Sequence, residues 1–186
     1  MKTLARDPAA SSCLATSANL STLLAFSTTF KDDHDALCEA LRCVANTLLL
    51  IEDARLTFIG KDVNGGDACV SMLDVSTLRI PVSSVLSNCL QKATASDQIF
   101  ILSRILFLST VAGPPYLETL VDGKHNGRTI VDILGSKLDS LSYACRGGLP
   151  FAKEGLTDAL KFSFNILMHY PKVCDPSTIQ PISHVD

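Results

Sequence analysis

Apolar residues recur along most of this chain at intervals of three and four, the spacing of one face of an α-helix. Leu37, Leu41, Val44, Leu48 and Ile51 form one such series. Asp32 and Asp33 stand just before it and suit an N-cap, so a helix is predicted to about residue 50. A short helix over residues 54–59 should stop at Gly60. KDVNGGD, residues 61–67, reads as a loop, with a helix behind it to Leu73. Pro81 fits a first helical turn, and PVSSVLSNCLQKA reads as a helix from there. Asp97 can cap a separate helix ending near Val111. Pro114 and Pro115 open another, and KHNG, residues 124–127, is expected to be a loop. Ile130, Ile133, Leu134, Leu138 and Leu141 predict a helix over residues 129–143. The last helix is placed at residues 153–170. No segment alternates in the manner of strands around a hairpin turn. The expectation is an all-α chain of nine or ten helices, with residues 171–186 as an extended tail or a loop to a following repeat.

Two of these helices carry nearly the same text. ALRCVANTLLL begins at residue 40 and ALKFSFNILM at residue 159. Each has a cation followed four residues later by an asparagine: Arg42 with Asn46, and Lys161 with Asn165. Their separation is near three periods of about 40 residues, the length of armadillo or HEAT units. The run IFILSRILFLSTV, residues 99–111, fits an intermediate unit, with Arg104 in the cation's place and Leu108 in the asparagine's. Lys2 and Arg6 form a related pair at the start. The spacing predicts an armadillo/HEAT-like α-solenoid over residues 1–170; a plain helical bundle is the alternative.

Residues four apart share a helix face, so each pair points one way. Taken singly, such a cation snorkels to water and such an asparagine satisfies a neighbouring helix end. Repeated on equivalent helices of a solenoid, they line a groove. There an asparagine offers a donor and an acceptor to a peptide backbone, and the cations favour an acidic segment or a terminal carboxylate.

Composition narrows the function. Of 186 residues, 47% are hydrophobic, which gives ample core for one domain. The net charge of −3 lacks the basic excess of a nucleic-acid binder, and no nucleic-acid partner is expected. The apolar run at residues 99–111 is too short to span a bilayer, so no direct membrane insertion is expected. No secretory signal is visible and the seven cysteines are odd in number, which points to a reducing, cytoplasmic setting. No cysteine–histidine cluster has zinc-site spacing, and the four histidines are scattered. Gly60-Lys61 and Gly123-Lys124 lack the rest of a phosphate loop. DVNGGD misses a calcium loop, with Asp67 and Leu73 where glycine and glutamate belong. Neither a cofactor nor a catalytic residue is expected, and a thiol hydrolase is a remote reading.

Four segments together resemble the synembryn family: MKTLARDPAASSCL, ALRCVANTLL, DQIFILSRILFLSTV and ALKFSFNILM, in this order. The resemblance covers nearly the whole chain and part of the family's length, so it implies an N-terminal portion. It implies an armadillo/HEAT-like solenoid that chaperones nascent G-protein α subunits and promotes GDP release from them, without covalent chemistry. The Gα C-terminal helix and tail would dock in the concave groove, with recruitment to the plasma membrane through Gα. On this resemblance Lys2, Arg6, Asn46 and Asn165 fall on groove positions, with Arg42, Arg104 and Lys161 adjacent or analogous. A generic armadillo adaptor for another acidic or C-terminal peptide is the alternative.

Overall fold

The computed structural model describes residues 7–76 and 85–173, with residues 10, 85–95, 114 and 170–173 described by backbone alone. Nine helices and one two-stranded hairpin are present among the described residues. The helices are α1 (Pro8–Leu14), α2 (Ser17–Thr29), α3 (His34–Leu50), α4 (Asp53–Ile59), α5 (Gly65–Val75), α6 (Val85–Thr110), α7 (Pro114–Asp122), α8 (Ile130–Arg146) and α9 (Ala152–Val173). The hairpin pairs β1 (Lys124–His125) with β2 (Arg128–Thr129).

Local chemistry sets most helix starts. Asp7, Thr16, Asp33 and Thr129 each accept a hydrogen bond from the first turn they cap. Thr129 and Asp132 complete a reciprocal capping box, and its hydrogen bonds hold the Asp132 carboxyl below its ordinary pKa. Helices α3, α4 and α8 lie within a few residues of their expected bounds. Two helices had no counterpart in the spacing: α1, and α2 with its many serines and threonines.

Three expectations need correction. The helices foreseen on either side of Asp97 are one continuous helix, α6, of 26 residues. Asp97 is no cap; it lies mid-helix and is buried. The start foreseen at Pro81 lies outside the described residues. The KHNG segment is the tip of the hairpin. Asn126 and Gly127 both take positive φ, 52° and 81°, the two-residue turn that matches strand twist. Finally, α9 continues through Pro171 to Val173. A proline in a last turn forfeits a single backbone bond, which a helix near its end tolerates. Residues 174–186 lie outside the described residues.

The helices pack as three successive triplets: α1–α3, α4–α6 and α7–α9. In each, the first two helices pack on the third. The third helices form a row, with α6 against α3 on one side and α9 on the other. The second helices touch in sequence too, α2 on α5 and α5 on α8. Successive third helices thus lie about 60 residues apart in the sequence, a wider step than the 40-residue period considered from the sequence.

Helix α6 explains the greasy run. A helix apolar on all sides belongs in a core. Ile99, Ile101, Leu102, Ile105, Leu106 and Leu108 point in several directions, and all are buried between α3, α5 and α9.

The second and third triplets are further clamped at the end of α5. Arg128 and Asn126 of the hairpin bond the Asp74 carboxylate at 2.7 and 3.2 Å. The buried Lys137 of α8 donates to the backbone carbonyls of Asp74 and Ser76. Burial pushes its ammonium pKa down, while its two hydrogen bonds cap carbonyls left open at the end of α5.

At the other end of α5, Gly66 meets Tyr116 of α7. A Cβ there would lie 1.6 Å from the Tyr116 hydroxyl oxygen. That hydroxyl is buried without a partner among the described residues. Two substitutions should therefore behave oppositely. Gly66→Ala is expected to cost about 1–3 kcal/mol through overpacking. Tyr116→Phe removes only an unpaired hydroxyl, so its effect should stay within about 1 kcal/mol or be stabilising. Urea denaturation of both variants checks this; a Tyr116→Phe loss as large as that of Gly66→Ala would refute it.

Candidate functional site

The third helices of the triplets bring the polar intrusions to one surface. Arg42 on α3 binds the Asp97 carboxylate of α6 and, at 2.6 Å, Glu39 one turn back on its own helix. Arg104 on α6 repeats the motif, with Nε donating to Asp158 of α9 at 2.9 Å. Lys161 holds the other oxygen of Asp158 at 3.0 Å. Its ammonium lies 5.4 Å from the centre of the Phe107 ring. Asn165 Nδ2 donates to the Thr110 hydroxyl at 2.8 Å.

These contacts fix the register of the row. Residues 104, 107 and 110 of α6 meet residues 158, 161 and 165 of α9 in that order. The order rises along both helices, so α6 and α9 run parallel.

Of the seven residues singled out, Lys2 and Arg6 lie outside the described residues. Arg42, Arg104, Lys161, Asn46 and Asn165 belong to the row. The side chains of Arg42, Arg104 and Lys161 are 37%, 41% and 50% exposed, while those of Asp97 and Asp158 are 12% and 4% exposed. Each cation thus stands on a buried acid and turns its remaining donors to water. Asn46 is half-buried and has no hydrogen-bond partner among the described residues.

The geometry departs from an even positive column in two ways. Glu39, Asp97 and Asp158 match the three cations in number, so the face is amphoteric. The cations also stand at different heights. Arg42 is level with residue 97 of α6, and Arg104 lies two turns further, about 10 Å along that helix. Sequence reasoning took Asp97 for a cap and passed over Asp158; a lone acid in an apolar helix was the available signal for both.

Beside the row, α9 presents an apolar ridge. Leu160, Phe164, Leu167 and Met168 are between 51% and 66% exposed. Between this ridge and α6 lies a hollow of about 400 Å³, lined by Phe107, Thr157, Leu160, Lys161, Phe164 and Asn165. It combines apolar walls with one ammonium and one carboxamide. Further along α6, Arg104 lies over the Phe100 ring at 4.5 Å, and Phe100 stacks on Phe151 at 6.0 Å.

A separate polar cluster sits at the start of α3. The donor atoms of His34, Cys38 and Asp97 all lie within 4.8 Å of one another. Burial, with the Asp97 carboxylate second, pushes the Cys38 thiol up to about 12, so it is protonated at neutral pH and is no nucleophile.

The buried acids should matter more than the cations above them. Asp158→Asn leaves Arg104 and Lys161 without their anion and is expected to cost about 1–3 kcal/mol. Lys161→Gln, at a half-exposed site, should cost no more than about 1 kcal/mol. Equal losses in chemical denaturation would show that the pairing is a surface contact only.

Comparison with curated proteins and with solved structures finds no match. A family model described as guanine nucleotide exchange factor synembryn matches residues 1–184, nearly the full length. No helix among the described residues is long and apolar enough to cross a membrane. At the level of the family, the activity is nucleotide exchange on G-protein α subunits, an activity without covalent chemistry. A match of this extent shows the family, and the chain belongs to the synembryn guanine nucleotide exchange factors.

Proposed function

We propose that the row of α3, α6 and α9 receives the C-terminal helix and tail of a Gα subunit, and that the three triplets are armadillo-like units of an α-solenoid. The carrying observation is the row itself, which gathers Arg42, Asn46, Arg104, Lys161 and Asn165 on successive packed third helices. Third helices line the concave face in repeats of this kind.

The hollow at Lys161 gives the reading its chemistry. Phe107, Leu160 and Phe164 would take an apolar side chain of the Gα tail. Lys161 keeps free donors beyond Asp158 for a terminal carboxylate, and Arg104 would serve the next acidic group. Because the face is amphoteric, apolar contact would supply most of the affinity and charge would set direction.

Exchange then follows from linkage. A partner that binds nucleotide-free Gα more tightly than the GDP form weakens GDP binding by the same factor, about 5–150-fold for typical coupling energies. Holding the C-terminal helix away from the Gα core would be the coupled change. The same grip on an incompletely folded Gα would act as a chaperone. The protein would work in the cytoplasm and reach the plasma membrane through Gα.

Titration calorimetry with a Gα C-terminal peptide tests the reading. Lys161→Glu and Phe164→Ser change exposed side chains and should leave the fold intact. Each should weaken binding at least about fivefold, near 1 kcal/mol. Amidating the peptide's terminal carboxylate should weaken the native protein's binding and have little further effect on Lys161→Glu. Peptide affinity indifferent to both substitutions would move the site off this face.

A further inference from the structure

We propose that His34, Cys38 and Asp97 form a binding site for one divalent cation of borderline softness, with zinc as the fitting ion. The site is independent of the Gα reading and lies where the first triplet meets the second.

The backbone prepares two of the ligands. His34 is the first residue of α3, behind the Asp33 cap, and Cys38 follows one turn later. Residues four apart stand on one face, so the imidazole folds over the thiol. Cys38 Sγ lies 3.2 Å from His34 Nε2. Asp97 enters from α6, and the three donor atoms are mutually within 4.8 Å. Zinc bonds of about 2.0–2.3 Å in a tetrahedron separate ligand atoms by roughly 3–4 Å. Small side-chain rotations close that difference.

The third ligand carries an independent sign of something owed to it. Asp97 is 8% exposed. One of its oxygens holds Arg42, and the other, Oδ1, is buried with no hydrogen-bond partner among the described residues. Buried carboxylate oxygens are ordinarily satisfied, so an orphan beside a thiol and an imidazole fits a metal-ligand position.

The charges are compatible. Arg42 is already engaged by Glu39 and Asp97. With Cys38 as thiolate, a divalent cation balances the negative charge that this arginine leaves over. Binding would replace the contact between Sγ and Nε2 by two metal bonds, with the thiol proton released to solvent. A set of one nitrogen, one sulfur and one oxygen excludes magnesium and calcium, which take oxygen ligands. His34 is half-buried, so water reaches the fourth position from the helix start.

Zinc and cobalt(II) binding to the full chain, stripped of metal beforehand, test the site. The native protein should take up one equivalent of zinc at this site and melt at a higher temperature. Cobalt should give a near-ultraviolet sulfur-to-metal charge-transfer band. Cys38→Ala should abolish the band. His34→Gln, at a half-exposed position outside the core, should weaken zinc at least about tenfold. Cys13→Ser, at an exposed thiol, should change neither. No zinc uptake by the native protein, or native affinity retained in either the Cys38 or the His34 variant, would overturn the proposal. In that event the pair is a buried hydrogen bond only.

Discussion

Residues 96–110 of helix α6 must be buried on several sides, and the rest of the chain is arranged to do so. Leu102, Ile105 and Leu106 are fully hidden, and so is Ile99 on another side of the helix. No single neighbour can cover so wide an apolar surface. It takes α3, α5 and α9 at once, with α4 closing the remaining side. The triplet order follows from this demand. The helices before α6 and after it must return to its flanks, and short connections make them antiparallel neighbours first. The two outer triplets are thereby organised around one shared helix, and nothing in α3 or α9 alone would fix their positions.

The same burial explains the acids. A carboxylate on such a helix needs a cation from a neighbour, because an unpaired charge in the core would be strongly destabilising. Asp97 meets this from α3 and Asp158 from α6. Each third helix thus carries a cation for the acid of the next. The resulting relay constrains how far one helix slides along another, a role in specificity that pairs of this kind fill better than they add stability.

Much of the fold was legible because α3 and α8 are half-buried and bear a single apolar stripe. Stripe and cap together set their limits. Where the stripe failed, the physical reason is specific. Residues 96–110 of α6 bury apolar side chains on several sides and leave no single stripe, so Asp97 looked like a boundary. α2 buries Leu20, Leu23 and Leu24 yet exposes Phe26, which blurs its period. The hairpin strands are two residues long, too short to alternate; the Asn126-Gly127 pair was the one signal they left. At the candidate surface, the four-residue spacing assigned each cation and its amide to one side of a helix. It could not give their partners or their heights, because those depend on the sliding register between helices. The His34 and Cys38 pair was passed over in the sequence, because the third member of the cluster, Asp97, comes from another helix.

The stagger of the cations has a consequence for any ligand that touches more than one of them. Packed helices stand 8–10 Å apart as a rule. Going from Arg42 to Arg104 therefore means about as much travel along the axes as across them. A chain following that step crosses the row on a diagonal, at roughly 45° to the helices. Between Arg104 and Lys161 the axial climb is only three residues, since Lys161 sits over Phe107, and the path flattens. The line through the three cations thus bends midway across the row, steep between Arg42 and Arg104 and shallow between Arg104 and Lys161.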